Sequence, residues 1–296
     1  MELFLTVCVT SLTLGLLYAL FGTGMGVVLR ASGDLNLAHG DSLMLATYVA
    51  LGTSHVSDVR LAAVLTDVVM GAAIGAVAFL VIYRPVAARR RSFSPGLGFL
   101  PSLGVALIVR NVAARLSPRG SAPFPALFAG GRARLFDDFR LPAAGWWLLA
   151  AAVLVPAALA VALKRTPTGK RLRAVADDPV LAEATGLPVT RTLAISYALA
   201  GAVGGLAGAL FASFFGLVFV SLGWQATLKG FVAVVLGGVG WLRGALLGGL
   251  ALGTIESFFA AYVSSTYKDA ITFALLIAVL LIAPEGVLAR NRPRRV

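Results

Sequence analysis

The sequence predicts an all-α integral membrane protein, a polytopic helical bundle of about eight or nine transmembrane segments with broken or re-entrant pieces. Three observations carry that prediction. The 296 residues are 59% hydrophobic, only 13% are charged and the mean hydropathy is +0.91, whereas a soluble domain carries about 25% charge. Apolar runs long enough to cross a bilayer, about 20 residues each, recur along the whole chain. Arginine and lysine gather in short segments between those runs, as orientation signals do. Backbone groups in lipid must bond within their own segment, so the spans are helices.

The elements follow in order. Residues 3–29 are long, apolar and lack a basic n-region, so they form a span and not a cleaved signal peptide. Clear spans also lie at 61–83, 143–163, 193–220, 244–263 and 271–288. Residues 41–51, 96–109 and 228–240 are short or glycine-rich, and these supply the broken or re-entrant pieces. Cys8 is the single cysteine, which excludes an internal disulfide. Glycine pairs at small-xxx-small spacing, Gly201/Gly205, Gly204/Gly208, Gly244/Gly248 and Gly249/Gly253, allow close approach of helix backbones.

Basic clusters orient the chain. Arg84 with Arg89, Arg90 and Arg91 forms one cluster. Lys164, Arg165, Lys170, Arg171 and Arg173 form the second, and Arg290, Arg292, Arg294 and Arg295 the third. The positive-inside rule makes all three cytoplasmic. Parity then puts residues 117–142 outside, although Arg119, Arg132, Arg134 and Arg140 outnumber Asp137 and Asp138 there.

Within the second cytoplasmic segment, residues 164–190, lies the polar passage "DDPVLAEATGLP". Asp178 is a good N-cap and Pro179 occupies a first-turn position that needs no amide donor. Glu183 precedes Gly186, a natural C′ residue, and Pro188 blocks continuation. These signals predict a helix of about seven residues, roughly 10 Å long. So short a helix is marginal in water unless packing supports it.

Other polar groups fall at membrane depth. The segment "SGDLNLAHGD" sets Asp34, Asn36, His39 and Asp41 among Gly33 and Gly40. It reads equally as part of a pathway or gate, or as an ordinary loop after the first span. Lys229 and Glu256 are placed to pair and staple two helices, and Asp67 reads as the interfacial end of a tilted helix.

Several chemistries are excluded or unsupported. "PTGKRL" lacks the upstream glycine of a phosphate loop. His39 and His55 have no partners at metal-ligand spacing, so no metal or other cofactor is expected. No catalytic constellation appears. The net charge of +12 is spent on orientation signals, and nucleic acid is not an expected partner.

Three passages carry a family resemblance. "GDLNLAHGDSLMLATYVA", with Asn36, Leu37, Ala38, His39 and Gly40, resembles the N-terminal signature of permease subunits of bacterial branched-chain amino acid ABC importers. "GKRLRAVADDPVLAEATGLPVTRTLAISYALAGAVGGLAGAL" is similar to that family's cytoplasmic loop. "LKGFVAVVLGGVGWLRGALLGGLALGTIES" resembles its glycine-rich pattern, with Lys229, Gly237, Gly238, Gly240, Gly244 and Glu256 on the matching positions. Residues 84–142 match weakly.

The resemblance implies one permease domain over residues 1–296 in a bacterial inner membrane, for branched-chain or related small amino acids. Relatives for urea or short amides are also implied. It implies a homologous second permease subunit, two cytoplasmic ATPase subunits and an extracytoplasmic substrate-binding protein as partners, with lipid around them. Asp177, Asp178, Pro179, Glu183, Ala184 and Gly186 would then form the helix that the ATPases grip. Two other classes stay open at this point: an ion-coupled secondary transporter using Asp67, Glu256 and Lys229, and a non-transporting membrane scaffold.

Overall fold

A computed structural model describes residues 2–54, 60–85, 98–117, 120–125, 133–134, 140–141, 143–238, 242–283 and 286. The first helix, α1 (Glu2–Ser32), stops where Gly33 takes a φ of 69°. After an extended stretch come α2 (His39–Ser54) and α3 (Arg60–Ala78), the latter prolonged by a π-helical turn at Phe79–Tyr83. α4 (Phe99–Leu116), α5 (Ala143–Arg165), α6 (Pro167–Asp177) and α7 (Pro179–Ala184) follow. The last four are α8 (Val189–Phe215), α9 (Leu222–Gly237), α10 (Leu242–Tyr262) and α11 (Lys268–Ile282). Among the described residues, five helical stretches are long and apolar enough to cross a membrane by length and composition. They are Leu3–Ser32, Ala62–Val81, Gly145–Arg165, Val189–Phe215 and Gly244–Tyr262, and each falls on a span expected from the sequence.

Glycine sets the packing. Gly201 and Gly205 turn one face of α8 onto α3, where added Cβ atoms would run into the backbone of Gly71 and Asp67. Gly204 and Gly208 turn another face onto α2 at His39, Leu43 and Thr47. α10 repeats the device. Its Gly249 and Gly253 lie against Ala19 and Gly15 of α1, while Gly244 and Gly248 meet Gly237 and Ala233 of α9. Three of the four glycine pairs therefore open a seam between backbones, and Gly204 with Gly208 makes room for side chains of α2.

The expected boundaries shift in three places. The apolar run 193–220 is two elements, because Gly216 adopts a φ of 73° and ends α8. Residues Leu217–Phe219 then form a strand, β4, that pairs antiparallel with β1 (Ser121–Pro123). The run 228–240 belongs to a longer α9 beginning at Leu222, and α11 ends at Ile282 before the expected 288. Two further short strands, β2 (Ala133–Arg134) and β3 (Arg140–Leu141), pair with each other.

Two faces result. The ends of α1, α3 and α8 meet α6 in one buried cluster with Val28, Tyr83, Leu172, Val175 and Leu193. Arg84, Lys164, Arg165, Lys170, Arg171 and Arg173 emerge beside it. From there α8 runs for 27 residues, about 40 Å at 1.5 Å per residue, to the β1–β4 ribbon. The basic segment and residues 120–125 thus lie at opposite ends of the bundle. α1, α3 and α8 to α11, together with α2 and its extended lead-in, α4 and α5, run between the two faces. Arg89, Arg90, Arg91, Arg119, Arg132, Asp137, Asp138, His55, Gly240 and the C-terminal arginines lie outside the described residues.

The basic face is predicted to be cytoplasmic. Ser121 and Ala184 are both exposed, one at each end. With Cys8 replaced by Ala, Ser121→Cys should react with a membrane-impermeant thiol reagent in intact cells, and Ala184→Cys only after lysis. Reaction of Ala184→Cys from outside would invert the orientation.

Candidate functional site

The punctuated helix of the basic segment is built almost as its residues dictate. The Thr166 hydroxyl accepts from the Gly169 amide at 3.0 Å and starts α6 behind Pro167. Asp178 then ends α6 and starts α7 at once. Its backbone is extended, and its Oδ1 accepts from the amides of Val180 and Leu181, both at 2.9 Å. α7 has six residues, one fewer than expected. Gly186, at φ 81°, closes it with a Schellman motif, since the Gly186 amide donates to Glu183 and the Leu187 amide to Ala182.

Ala182 is the buried anchor of α7, while Asp177, Asp178, Glu183, Ala184 and Gly186 are exposed and Pro179 is half-buried. Val180 and Leu181 are 69% and 62% exposed. Sequence reasoning passed over these two in favour of the charged positions, although two apolar residues in so polar a loop were the available signal. Beneath the knob, Tyr197 of α8 stacks on Phe79 and Tyr83 at 5.3 and 4.7 Å between ring centroids, and its hydroxyl lies 3.3 Å from that of Ser32. The mount therefore joins α1, α3 and α8.

The second locus is the segment after α1. It is not a surface loop: Asp34, Asn36, His39 and Asp41 are all buried. The chain turns into the bundle and begins α2 inside it, as a broken span does. Several backbone groups freed by the break find partners, as depth in the membrane requires. Asn36 Oδ1 accepts from the Ala38 amide at 3.0 Å, and the Leu37 amide donates to Ser102 Oγ of α4 at 3.1 Å. The Gly40 amide donates to Thr227 Oγ1 of α9 at 3.0 Å, and that hydroxyl also lies 3.2 Å from the Leu37 carbonyl. A Cβ on Gly40 would strike Thr227 and the Gly223 carbonyl.

His39 fills the space left by Gly24 and Gly204, with its Nε2 lacking a hydrogen-bond partner. Asp41 is clamped by Arg110 of α4, at 3.0 Å for Nη2–Oδ2 and 3.3 Å for Nε–Oδ1, and the guanidinium lies 5.2 Å from the Trp224 ring centre. Nothing in the order of residues signals this pairing, because its members stand 69 positions apart. Asp67 is wholly buried, because α3 lies backbone to backbone on α8 at Gly205, and Thr47 is its hydrogen-bonding neighbour at 3.5 Å.

The third locus joins α9, α10 and α11. Lys229 Nζ lies 2.8 Å from Glu256 Oε1, as expected, and also 2.9 Å from Asp269 Oδ1 and 3.2 Å from Thr272 Oγ1. The Tyr18 ring of α1 faces the same ammonium at 5.7 Å. Among the described residues, no three His, Cys, Asp or Glu side chains gather as a metal site would require. The arrangement offers mechanical and binding chemistry: an exposed knob, a broken helix at depth and a clamped cluster near the far face.

The sequence profile of the family described as "Branched-chain amino acid transport system / permease component" matches residues 7–280. The high-affinity branched-chain amino acid transport system permease protein LivH of Escherichia coli K12 is 31% identical, over 99% of this chain and 98% of its own. LivH of Salmonella typhimurium is 30% identical with the same coverage. The corresponding protein BraD of Pseudomonas aeruginosa is 29% identical over 97% of this chain and 96% of its own. No solved structure matches the chain.

The Lys229 cluster generates a stability prediction. Lys229→Met strands the buried Glu256 carboxylate and should cost about 3–5 kcal/mol, whereas Lys229→Met/Glu256→Met should recover much of that loss. Asp269→Asn removes a partner that is 58% exposed and should cost under about 1 kcal/mol. Thermal unfolding midpoints of the purified chain test the order; a single and double variant equally destabilised would contradict it.

Proposed function

The chain belongs to the permease family of branched-chain amino acid transport systems, the permease subunits of ABC importers, and from that premise we propose that it carries branched-chain or related small apolar amino acids across a bacterial inner membrane. It works with a homologous permease, two cytoplasmic ATPases that hydrolyse ATP, and an extracytoplasmic binding protein. The observation that supports this reading is the α6–α7 knob. It exposes Val180 and Leu181 in a basic, polar segment, yet its underside is continuous with the buried core of three spanning helices. A subunit without its own nucleotide motif needs such a handle to receive work from a partner. Closure of the ATPases would push α7 and tilt α1, α3 and α8 together, shifting the bundle between two packings.

In this mechanism the buried segment around Asn36, His39 and Gly40 is the gate. It touches α1, α4, α8 and α9 through single hydrogen bonds or glycine contacts, so relative motion of those helices is felt there. An ion-coupled transporter would need Lys229 and Glu256 to separate during its cycle, whereas their contacts fit a staple better.

Two predictions follow from the two loci. Gly186 has open space around its Cα, so Gly186→Val meets no clash and its cost is the left-handed backbone itself, on the order of 1–2 kcal/mol. Glu183→Arg leaves the helix intact and reverses an exposed charge. Both variants should reach the membrane normally and lose ATP-driven leucine uptake, and Glu183→Arg should also co-purify less ATPase. Normal uptake by both, at matched abundance, would remove the knob from the mechanism. Asn36→Leu and His39→Leu should each impair uptake while ATPase co-purification persists. Loss of both together would make the segment purely structural.

A further inference from the structure

Near the face opposite the knob, the outer halves of α1, α8, α9 and α10 enclose a cavity of about 590 Å³. That lies within the range of small-molecule sites, roughly 300–1,000 Å³. Its wall is aromatic: Phe211 lies 4.6 Å from Phe215, 5.9 Å from Phe219 and 6.4 Å from Phe21 between ring centroids. Its polar end holds Lys229, Glu256, Ser257 and Gln225, with Lys268 also lining it.

Two observations point to an occupant. Glu256 and Ser257 are 3% and 6% exposed, and Glu256 Oε2 and Ser257 Oγ have no hydrogen-bond partner of good geometry, although the Tyr18 hydroxyl interacts with Glu256. Buried polar atoms are rarely left so, and these two side chains line the same void. The charges also balance. Lys229 and Lys268 stand against Glu256 and the Lys229-bound Asp269, so neither a lone cation nor a lone anion is favoured. A ligand bearing both charges and an apolar body matches the set.

We infer that this cavity binds a zwitterionic amino acid with an aliphatic side chain: Glu256 Oε2 accepts from the ammonium, Ser257 Oγ donates to the carboxylate, and the phenylalanine cluster receives the side chain. The substrate class rests on the transport reading above. Glu256 thereby has two duties, one oxygen for the staple and one for the ligand.

The test uses the full chain in lipid nanodiscs with Cys8 replaced by Ala. Ala260→Cys, on the cavity wall, is modified by a small water-soluble thiol reagent, and Ser121→Cys, exposed on the outer ribbon and not part of the cavity wall, serves as control. Leucine at about four times its dissociation constant should slow modification of position 260 roughly fivefold, the factor being one plus that ratio. Isoamylamine, isocaproate and glycine should give little protection, and position 121 none. Glu256→Gln should abolish the protection. Ser257→Ala and Phe215→Ala should weaken it without touching the ion pair, which keeps the test valid if Glu256→Gln fails to fold.

An unchanged rate with leucine, or equal protection by isoamylamine and isocaproate, would overturn the site. ATP-driven leucine uptake by the reconstituted importer is measured alongside. Uptake without protection sinks the cavity and leaves the transport reading. Protection without uptake supports the cavity and sinks that reading.

Discussion

Contact between bare backbones is the constraint on which the rest of this protein depends. In lipid there is no hydrophobic drive to press helices together, so association relies on close packing. α8 achieves it by presenting glycine to α3, and α10 by presenting glycine to α1 on one face and to α9 on the other. A single methyl group at Gly71, Gly201 or Gly205 would collide with main-chain atoms across the seam. Because backbone cannot rotate aside as a side chain can, these seams hold the helices at fixed separations.

The buried polar features become possible inside that frame. A chain can leave helical geometry at membrane depth only where fixed neighbours supply hydrogen bonds. Thr227 and Ser102 do so for residues 37–40, and Thr227 sits on α9, whose position a glycine seam dictates. The same applies to charge. Arg110 holds Asp41 in a two-point clamp, and Lys229 gathers carboxylates from two other helices, at a depth where an unmatched ion would be costly. Polar groups therefore fix registers between helices already held close by glycine.

Much of this was legible in the residues. The caps at Asp178, Pro179 and Gly186 are local signals, and local geometry obeyed them. Lys229 and Glu256 were readable as a pair because two opposite charges on neighbouring spans have few other options. The end of α8 was not, since Gly216 lies in an apolar run where hydropathy cannot see a turn. The burial of Asp67 was hidden for a related reason: it comes from Gly205 on a distant helix, and a hydropathy run carries no record of what faces it. The Asp41–Arg110 clamp and the cavity depend on three-dimensional proximity of remote residues, which no spacing along the chain encodes.

One detail of the basic face carries a mechanical consequence. Asp178 is both the last cap of α6 and the first cap of α7, so the joint between them has no spare residue. A linker with slack absorbs displacement as loose torsions and returns it as heat. A joint of one residue, braced by its own carboxylate on two amides and by the ring of Pro179, has almost no backlash. In the proposed importer, an ångström of movement at the exposed tip would reach the Tyr197 stack nearly undiminished, and the knob would act as a stiff crank, not a tether.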